Sequence, residues 1–286
     1  MGKNKNAKKE GESRALAFLY KNAFGRLLLK PLVSRTVSKI VGAFLSSRLS
    51  KPLIKGFVKK NGINLDDFYS DNFKCFNDCF TRQIKDGVRS FDMSPEAFIS
   101  PCDSYLSAYN ITEDTLLTIK GSEYRIRDLV DSDELAKSYE GGVCLVFRLC
   151  VHHYHRYIYL DSGKKGENFF IKGKLHTVRP IALESLPVFK RNCREYTVLE
   201  TENFGKVTQI EVGAMLVGKI KNHHGAASFN RGEEKGMFLY GGSTIVLLLE
   251  EGKVKINEEF FSATENDKET EVLVGQKIGE KVISEE

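Results

Sequence analysis

The chain has 286 residues, of which 41% are hydrophobic and 10% aromatic, enough to bury a sizeable core and to exclude a globally disordered protein. Its 43 Lys and Arg against 38 Asp and Glu give a net charge of +5, yet residues 1–60 hold fifteen of the basic residues and only Glu10 and Glu12 as acids. A basic arm of net +13 therefore precedes a body of net −8, and such an arm seeks phosphate, on nucleic acid or on an anionic membrane.

The first residues, MGKNKNAKKEGES, read as a disordered tail. No compact apolar segment with a cleavage site follows, so no signal peptide is expected. Asn6 stands where a myristoylation signal wants Ser or Thr. No apolar run approaches the roughly 20 residues of a spanning helix. From Ser13 to Lys60, clusters such as Leu16, Phe18, Leu19 and Phe24, then Leu27 to Leu29, then Ile40, Val41, Phe44 and Leu45, alternate with Arg14, Lys21, Arg26, Lys30, Arg35 and Lys39. This is the composition of amphipathic helices lying in a lipid interface, with Pro31 and Pro52 dividing them into two or three. The same pattern also fits a helical bundle packed on the body with a solvated basic face. Nucleic acid is disfavoured, because no base-reading motif accompanies the charge. Residues 1–60 are thus expected as a basic, membrane-associating helical region and residues 61–286 as the body.

In the body, Asp66 to Arg82 reads as helix, with Phe73, Phe76 and Phe80 on one face. Short β-rich runs follow at Val143–Val151, Glu195–Leu199, Val207–Val212, Met237–Tyr240, Thr244–Leu249 and Lys253–Ile256. Many short strands without regular intervening helices predict an α+β fold with a largely antiparallel β body. Six cysteines are too few for a disulfide scaffold, and no second pair completes a zinc signature with Cys75 and Cys79. They read as core thiols of a reducing compartment. A Walker A loop, a Rossmann fingerprint, HExxH and internal repeats are all absent.

Four segments carry chemistry. Asp103 follows a proline turn in Ser100-Pro-Cys-Asp-Ser-Tyr-Leu-Ser107. Three of the six histidines lie in His152-His-Tyr-His-Arg156, where a strand would put His153 and His155 on one face and His152 on the other. Histidine is the usual general base near neutral pH. A metal cluster completed by His176, His223 or His224, or plain surface histidines, are the competing readings. Asn230-Arg-Gly-Glu-Glu-Lys-Gly236 reads as a solvated turn. Tyr240-Gly-Gly-Ser-Thr244 sits inside an apolar stretch, and its glycines clear side chains from around the Gly242–Ser243 bond. Taken alone, it also fits a glycine bulge in a strand.

In order and together, these segments resemble the phosphatidylserine decarboxylase family. The resemblance runs from about Phe76 to about Leu249 through FNDCFTR (Phe76–Arg82), SPCD (Ser100–Asp103), YHR (Tyr154–Arg156), GKLHTVRPIAL (Gly173–Leu183), ENFGKV, EVGAMLVGKI, RGEEKGMF and GGST (Gly241–Thr244). It implies a proenzyme in which the Ser243 hydroxyl attacks the Gly242 carbonyl. The resulting ester breaks by β-elimination into a β chain, 1–242, and an α chain, 243–286, which stay associated. Residue 243 becomes a pyruvoyl group, the enzyme's covalent cofactor. Asp103 and His155 are implied as orienting acid and base, with Ser243 completing an Asp-His-Ser arrangement. The pyruvoyl ketone would condense with the amine of phosphatidylserine as a Schiff base, release CO2 and yield phosphatidylethanolamine, with no bound metal. The basic arm would hold the protein peripherally on the anionic lipid of the cytoplasmic membrane face. The resemblance also suggests a homodimer. Deleting the arm is expected to abolish liposome binding and leave self-cleavage intact.

The chain departs from the family pattern. Members often read DYHRxH, whereas His153 stands at the Asp and Ile158 at the second histidine, so His155 must act as base or His152 or His153 must substitute. Ser104 replaces the glycine of SPxDG, and Arg179 the Asn of TVNP. An intact Ser-His-Asp lipid hydrolase is the alternative enzyme, disfavoured by the missing GxSxG elbow. A non-catalytic lipid-binding relative is the alternative outside enzymes.

Overall fold

The structure, a computed structural model, describes residues 14–112, 114, 116–119, 122–178, 182, 187–214, 219–240 and 243–283. The amino-terminal tail, Arg179, Gly241, Gly242 and most of the AMLVG segment lie outside the described residues.

The arm forms four helices, α1 (Arg14–Lys21), α2 (Ala23–Leu32), α3 (Arg35–Leu45) and α4 (Leu53–Asn61). Of the two expected breaks, the one at Pro52 occurs, since Pro52 stands just before α4, and the one at Pro31 does not. Pro31 lies inside the last turn of α2, where its preset φ costs little. The chain turns instead at Asn22, whose side chain accepts from the N–H groups of Phe24 and Gly25, and at Ser34, which accepts from Val37 N–H. Gly25 permits the close α1–α2 crossing, since a Cβ there would fall 2.0 Å from the Phe18 carbonyl oxygen. No described helix is long and apolar enough to cross a membrane.

The arm is part of the fold. Tyr20, Leu29 and Val33 enter the main core, and Leu175 N–H bonds to Val33 O. Val41, Leu45, Ile54 and Phe57 pack against Phe76, Phe80 and Tyr240. The expected helix over 66–82 is reduced to α5 (Phe76–Phe80). Asp78 fixes its start by accepting from the backbone N–H of Lys74 and Cys75, so the chain before it cannot continue as helix.

The body is antiparallel, as the strand pattern predicted. Its strands are β1 (Ala97–Ile99), β2 (Ser104–Asn110), β3 (Leu116–Ile119), β4 (Ser122–Arg125), β5 (Val143–Leu149), β6 (Arg156–Ile158), β7 (Gly163–Lys165), β8 (Phe169–Ile171), β9 (Arg194–Thr201), β10 (Lys206–Val212), β11 (Lys219–Asn222), β12 (Ala227–Phe229), β13 (Glu234–Leu239), β14 (Ser243–Leu249), β15 (Val254–Ile256), β16 (Thr270–Val272) and β17 (Lys277–Lys281). The largest sheet runs β12-β7-β9-β10-β14-β5-β2-β16, with β8 on β9. A second sheet runs β11-β13-β6, a third β1-β17-β15, and β3-β4 is a hairpin. Strands continue past Ile256, where the sequence pattern stopped, because β16 and β17 are short and interrupted by charge.

β10 and β14 are the middle pair of the large sheet. Every residue of β14 is buried, which explains its unbroken apolar run from Ile245 to Leu249. A buried ion pair joins the large sheet to the second one: Lys235 Nζ on β13 bonds Glu211 Oε1 on β10 at 2.6 Å and Asn222 Oδ1 at 2.9 Å. Lys235 thus lies in the interior, where the sequence suggested a solvated turn.

Candidate active site

Three strand ends meet at one end of the large sheet. β14 starts at Ser243, which pairs with Leu149, the last residue of β5. On the other side of β5, Tyr105 pairs with Arg148, so β2 starts at the same level with Ser104. Two strand spacings therefore separate the Ser243 and Ser104 backbones, about 10 Å. Each of these ends continues directly into a motif segment: Tyr240-Gly-Gly before Ser243, Cys150 to His155 after Leu149, and Ser100 to Asp103 before Ser104. Segments far apart in sequence are brought together by antiparallel register alone.

Ser243 is fully buried, and its Oγ has no hydrogen-bond partner among the described residues. A buried hydroxyl without a partner carries a desolvation cost and calls for a chemical reason. The Thr244 hydroxyl is also buried and unpartnered among the described residues, and it faces the opposite side of the strand.

The histidines occupy a turn and not a strand, so the predicted alternation of faces does not occur. Cys150 to His155 leaves β5 and folds back, with His153 N–H on Cys150 O. His155 is fully buried. Its Nδ1–H donates to the His153 carbonyl at 2.9 Å, which leaves the lone pair of the neutral ring on Nε2. The ring packs on Phe80, centroids 3.9 Å apart, and Phe80 also meets Tyr240 edge-on at 5.3 Å. His155 O accepts from Phe238 N–H, tying the histidine to the strand that leads to Tyr240.

His153 is different. Its Nδ1 accepts Cys150 N–H at 3.0 Å, which puts the ring proton on Nε2, 3.8 Å from Glu271 Oε1. Burial, then the neighbouring histidines and Arg148 and Arg82, lower its pKa to about 2. It is a neutral donor and a poor base. His152, His153 and Glu271 have ligand atoms within 4.8 Å of one another, but the His153 nitrogen turned toward Glu271 presents a proton in place of a lone pair. His176 and His223 lie elsewhere, on Tyr20 and Glu234.

Asp103 is buried and accepts from Val274 N–H at 2.8 Å and from Arg89, to which it is salt-bridged. Neither Asp103 nor Ser243 hydrogen-bonds His155 among the described residues. Ile158, at the site of the family's second histidine, is buried, and its N–H bonds to Pro101 O in the turn that carries Asp103.

α5 braces this assembly. Asn77 Oδ1 accepts Tyr240 N–H, and Arg82 Nη2 donates to the carbonyls of His152 at 2.7 Å and His153 at 3.2 Å. Arg156 Nε bonds Thr81 O, and its Nη1 forks onto Glu234. Sequence reasoning quoted Asn77, Phe80 and Arg82 inside a motif without giving them roles. The signal was there: polar groups beside two phenylalanines on so short a segment need partners. Arg89 carried no signal.

A profile described as phosphatidylserine decarboxylase matches residues 76–280. The chain is 43% identical over 273 residues to phosphatidylserine decarboxylase proenzyme 2 of Clostridium acetobutylicum, covering 95% of this chain and 94% of that one. It is 43% identical over 272 residues to the phosphatidylserine decarboxylase proenzyme of Ruminiclostridium cellulolyticum, covering 93% and 91%. To that of Clostridium botulinum it is 36% identical over 285 residues, covering 98% and 97%.

Proposed function

Because the chain belongs to the phosphatidylserine decarboxylase family, we propose that it is a proenzyme that cuts itself between Gly242 and Ser243 and then decarboxylates phosphatidylserine to phosphatidylethanolamine. The observation that carries this reading is the buried Ser243 hydroxyl, without a partner among the described residues, at the strand end where the His155 and Asp103 segments meet.

The cut balances within the chain. Ser243 Oγ gives its proton to a base and bonds the Gly242 carbonyl carbon, and the amide C–N bond breaks as the Ser243 nitrogen takes a proton. The ester then loses the Cα proton of residue 243, and the Cβ–Oγ bond breaks, leaving Gly242 with a carboxylate. The dehydroalanine that remains takes up water and releases ammonia, giving the pyruvoyl group. A serine hydroxyl is a weak nucleophile until a base takes its proton. His155 suits that role, since its Nδ1–H is fixed on a carbonyl and Nε2 keeps the lone pair. His153 does not, with its low pKa and its proton on Nε2. Asp103 contributes by fixing the Ser100–Ser104 turn through Val274 and Arg89.

The buried serine at the head of a sealed strand fits a pyruvoyl group at that position, held by β5 and β10 on either side. That group supplies an electron sink for an amine substrate that loses CO2. His155 would hold and return the proton, and Phe80 and Tyr240 keep water away from it.

The substrate lies in a membrane, and the arm suits an anionic one. Phe24 is 61% exposed, Ile40 66% and Leu49 78%, interspersed with Arg26, Lys30, Lys39 and Arg48. Exposed apolar groups framed by cations suit peripheral docking. Arm deletion would not isolate this contribution, because α3 and α4 cover Phe76, Phe80 and Tyr240.

Intact mass and a denaturing gel of the purified protein test the reading. Fragments 1–242 and 243–286 are expected, the smaller lacking a free amino terminus, with a single uncut chain in Ser243→Ala. An uncut wild-type chain overturns self-processing and favours a lipid-binding protein.

A further inference from the structure

A cleft of about 320 Å³ opens between the segment after α4 and the end of α5. Its lining includes Tyr69, Asn72, Thr81, Arg82, Gln83 and Arg156. Arg82 is 3% exposed, and its guanidinium lies over the Phe68 ring at 4.5 Å. Only Nη2 is committed, to the His152 and His153 carbonyls. Nε and Nη1 are buried without a partner among the described residues. Arg156 commits Nε and Nη1 to Thr81 and Glu234 and leaves Nη2 without a partner among the described residues. Of the acids in the lining, Asp78 is held by the backbone of Lys74 and Cys75, and Asp71 is exposed. Two buried donors of Arg82, left unmatched in a side chain that lines the cleft, call for an anion.

We propose that this cleft is a phosphodiester subsite for the lipid headgroup, with Arg82 and Arg156 as its cations. The assignment rests on the substrate reading above and adds where the headgroup is held. Phosphate is favoured over the headgroup carboxylate by the direction of the reaction. An arginine paired with a carboxylate that must leave as CO2 stabilises a charge that the reaction removes, so it would hold the ground state back. The phosphate keeps its charge throughout and gains from a guanidinium fork at every stage. The placement also fits. Arg156 follows His155 directly, and Thr81 and Arg82 follow the Phe80 that stacks on it. The phosphorus of a phosphoserine headgroup lies only a few bonds from the amine.

The test uses full-length protein carrying Ser243→Ala, which can neither process nor react, titrated by calorimetry with sn-glycero-3-phosphoserine. Binding is expected, with sn-glycerol 3-phosphate retaining it and serine not. Arg156→Gln, with its melting temperature checked, should weaken it at least tenfold. Should that variant fail to fold, side-chain nitrogen NMR of the Ser243→Ala protein reads Arg82 directly, and its Nε–H resonance should shift on titration. An unmoved resonance, undiminished binding in folded Arg156→Gln, or serine binding as well as the phosphodiester would overturn the subsite. Inorganic phosphate binding as tightly as glycerophosphoserine would make it a free-phosphate site and overturn the headgroup assignment. A wild-type chain that processes itself yet fails these tests loses only the subsite, whereas one that never processes loses the reading beneath it.

Discussion

Asn77 Oδ1 accepts the backbone N–H of Tyr240 at 3.2 Å, so a side chain of α5 holds the strand end three residues before Ser243. The same amide donates through Nδ2 to Ser46 Oγ at the end of α3. One residue therefore couples the arm to the segment that leads into Ser243. Asn77→Ala should slow the appearance of the 243–286 fragment about fivefold, in line with a hydrogen bond worth ~1 kcal/mol. A time course on denaturing gels checks it, and an unchanged half-time in a folded variant would remove Asn77 from the processing machinery.

The Lys235–Glu211 pair is completely buried. Removing one partner leaves a charge in the interior, and Lys235→Met should cost about 3–5 kcal/mol in urea unfolding. Adding Glu211→Leu to that variant should recover a large part of the loss. A double variant no more stable than Lys235→Met would show that packing, and not the stranded carboxylate, sets the cost.

His176 joins the arm to the body through Tyr20, whose hydroxyl donates to Nδ1 at 3.3 Å. Burial, then Arg191 and Lys174, lower its pKa from 6.5 to about 4. Between those values the unfolded chain binds a proton that the folded one refuses. Its contribution is therefore nil above pH 6.5, and stability falls by ~1.4 kcal/mol per pH unit as the pH drops from 6.5 toward 4. His176→Gln should flatten the acid side of a stability–pH profile by that slope. An unaltered slope would mean that His176 protonates freely in the native state.

Phe24 and Ile40 are solvent-exposed on the helical arm, so replacing both with Ser should leave folding and self-cleavage intact. Binding to phosphatidylserine-containing vesicles should weaken at least tenfold in a flotation assay, given about 1.5–3 kcal/mol for burying each such side chain. Undiminished flotation would assign the arm's apolar surface to a different partner.

The α+β class and the central strands were legible in the sequence because β5, β9, β10 and β14 are long and their apolar and β-branched content is high. Ser243, His155 and Asp103 stood out as candidate site residues only through the family resemblance, since each has an ordinary local reading. The braces were not legible. Arg82 bonds backbone carbonyls seventy residues away, and no pattern in a sequence marks which carbonyl an arginine will meet. The helix expected over 66–82 failed because its phenylalanine spacing suits a helix, while Asp78 captures the N–H groups just before it. The turn at 150–155 failed in the opposite sense: an apolar strand runs straight into it, and the His153–Cys150 bonds that help reverse the chain leave no mark on the sequence pattern.

β14 is paired along its whole length with β5 on one side and from Thr244 to Leu249 with β10 on the other. A cut before Ser243 would leave the new terminus at the first rung of that ladder, so the two pieces would still share one core. Separation would require unzipping the middle of the sheet. Once unfolded, however, the pieces would have to find each other by diffusion, and recovery would then depend on protein concentration. The uncut precursor closes the same sheet within one molecule and faces no such dependence. Such a cut would be a one-way passage: the covalent link would serve to build the sheet, and afterwards the sheet would take over the role of the link.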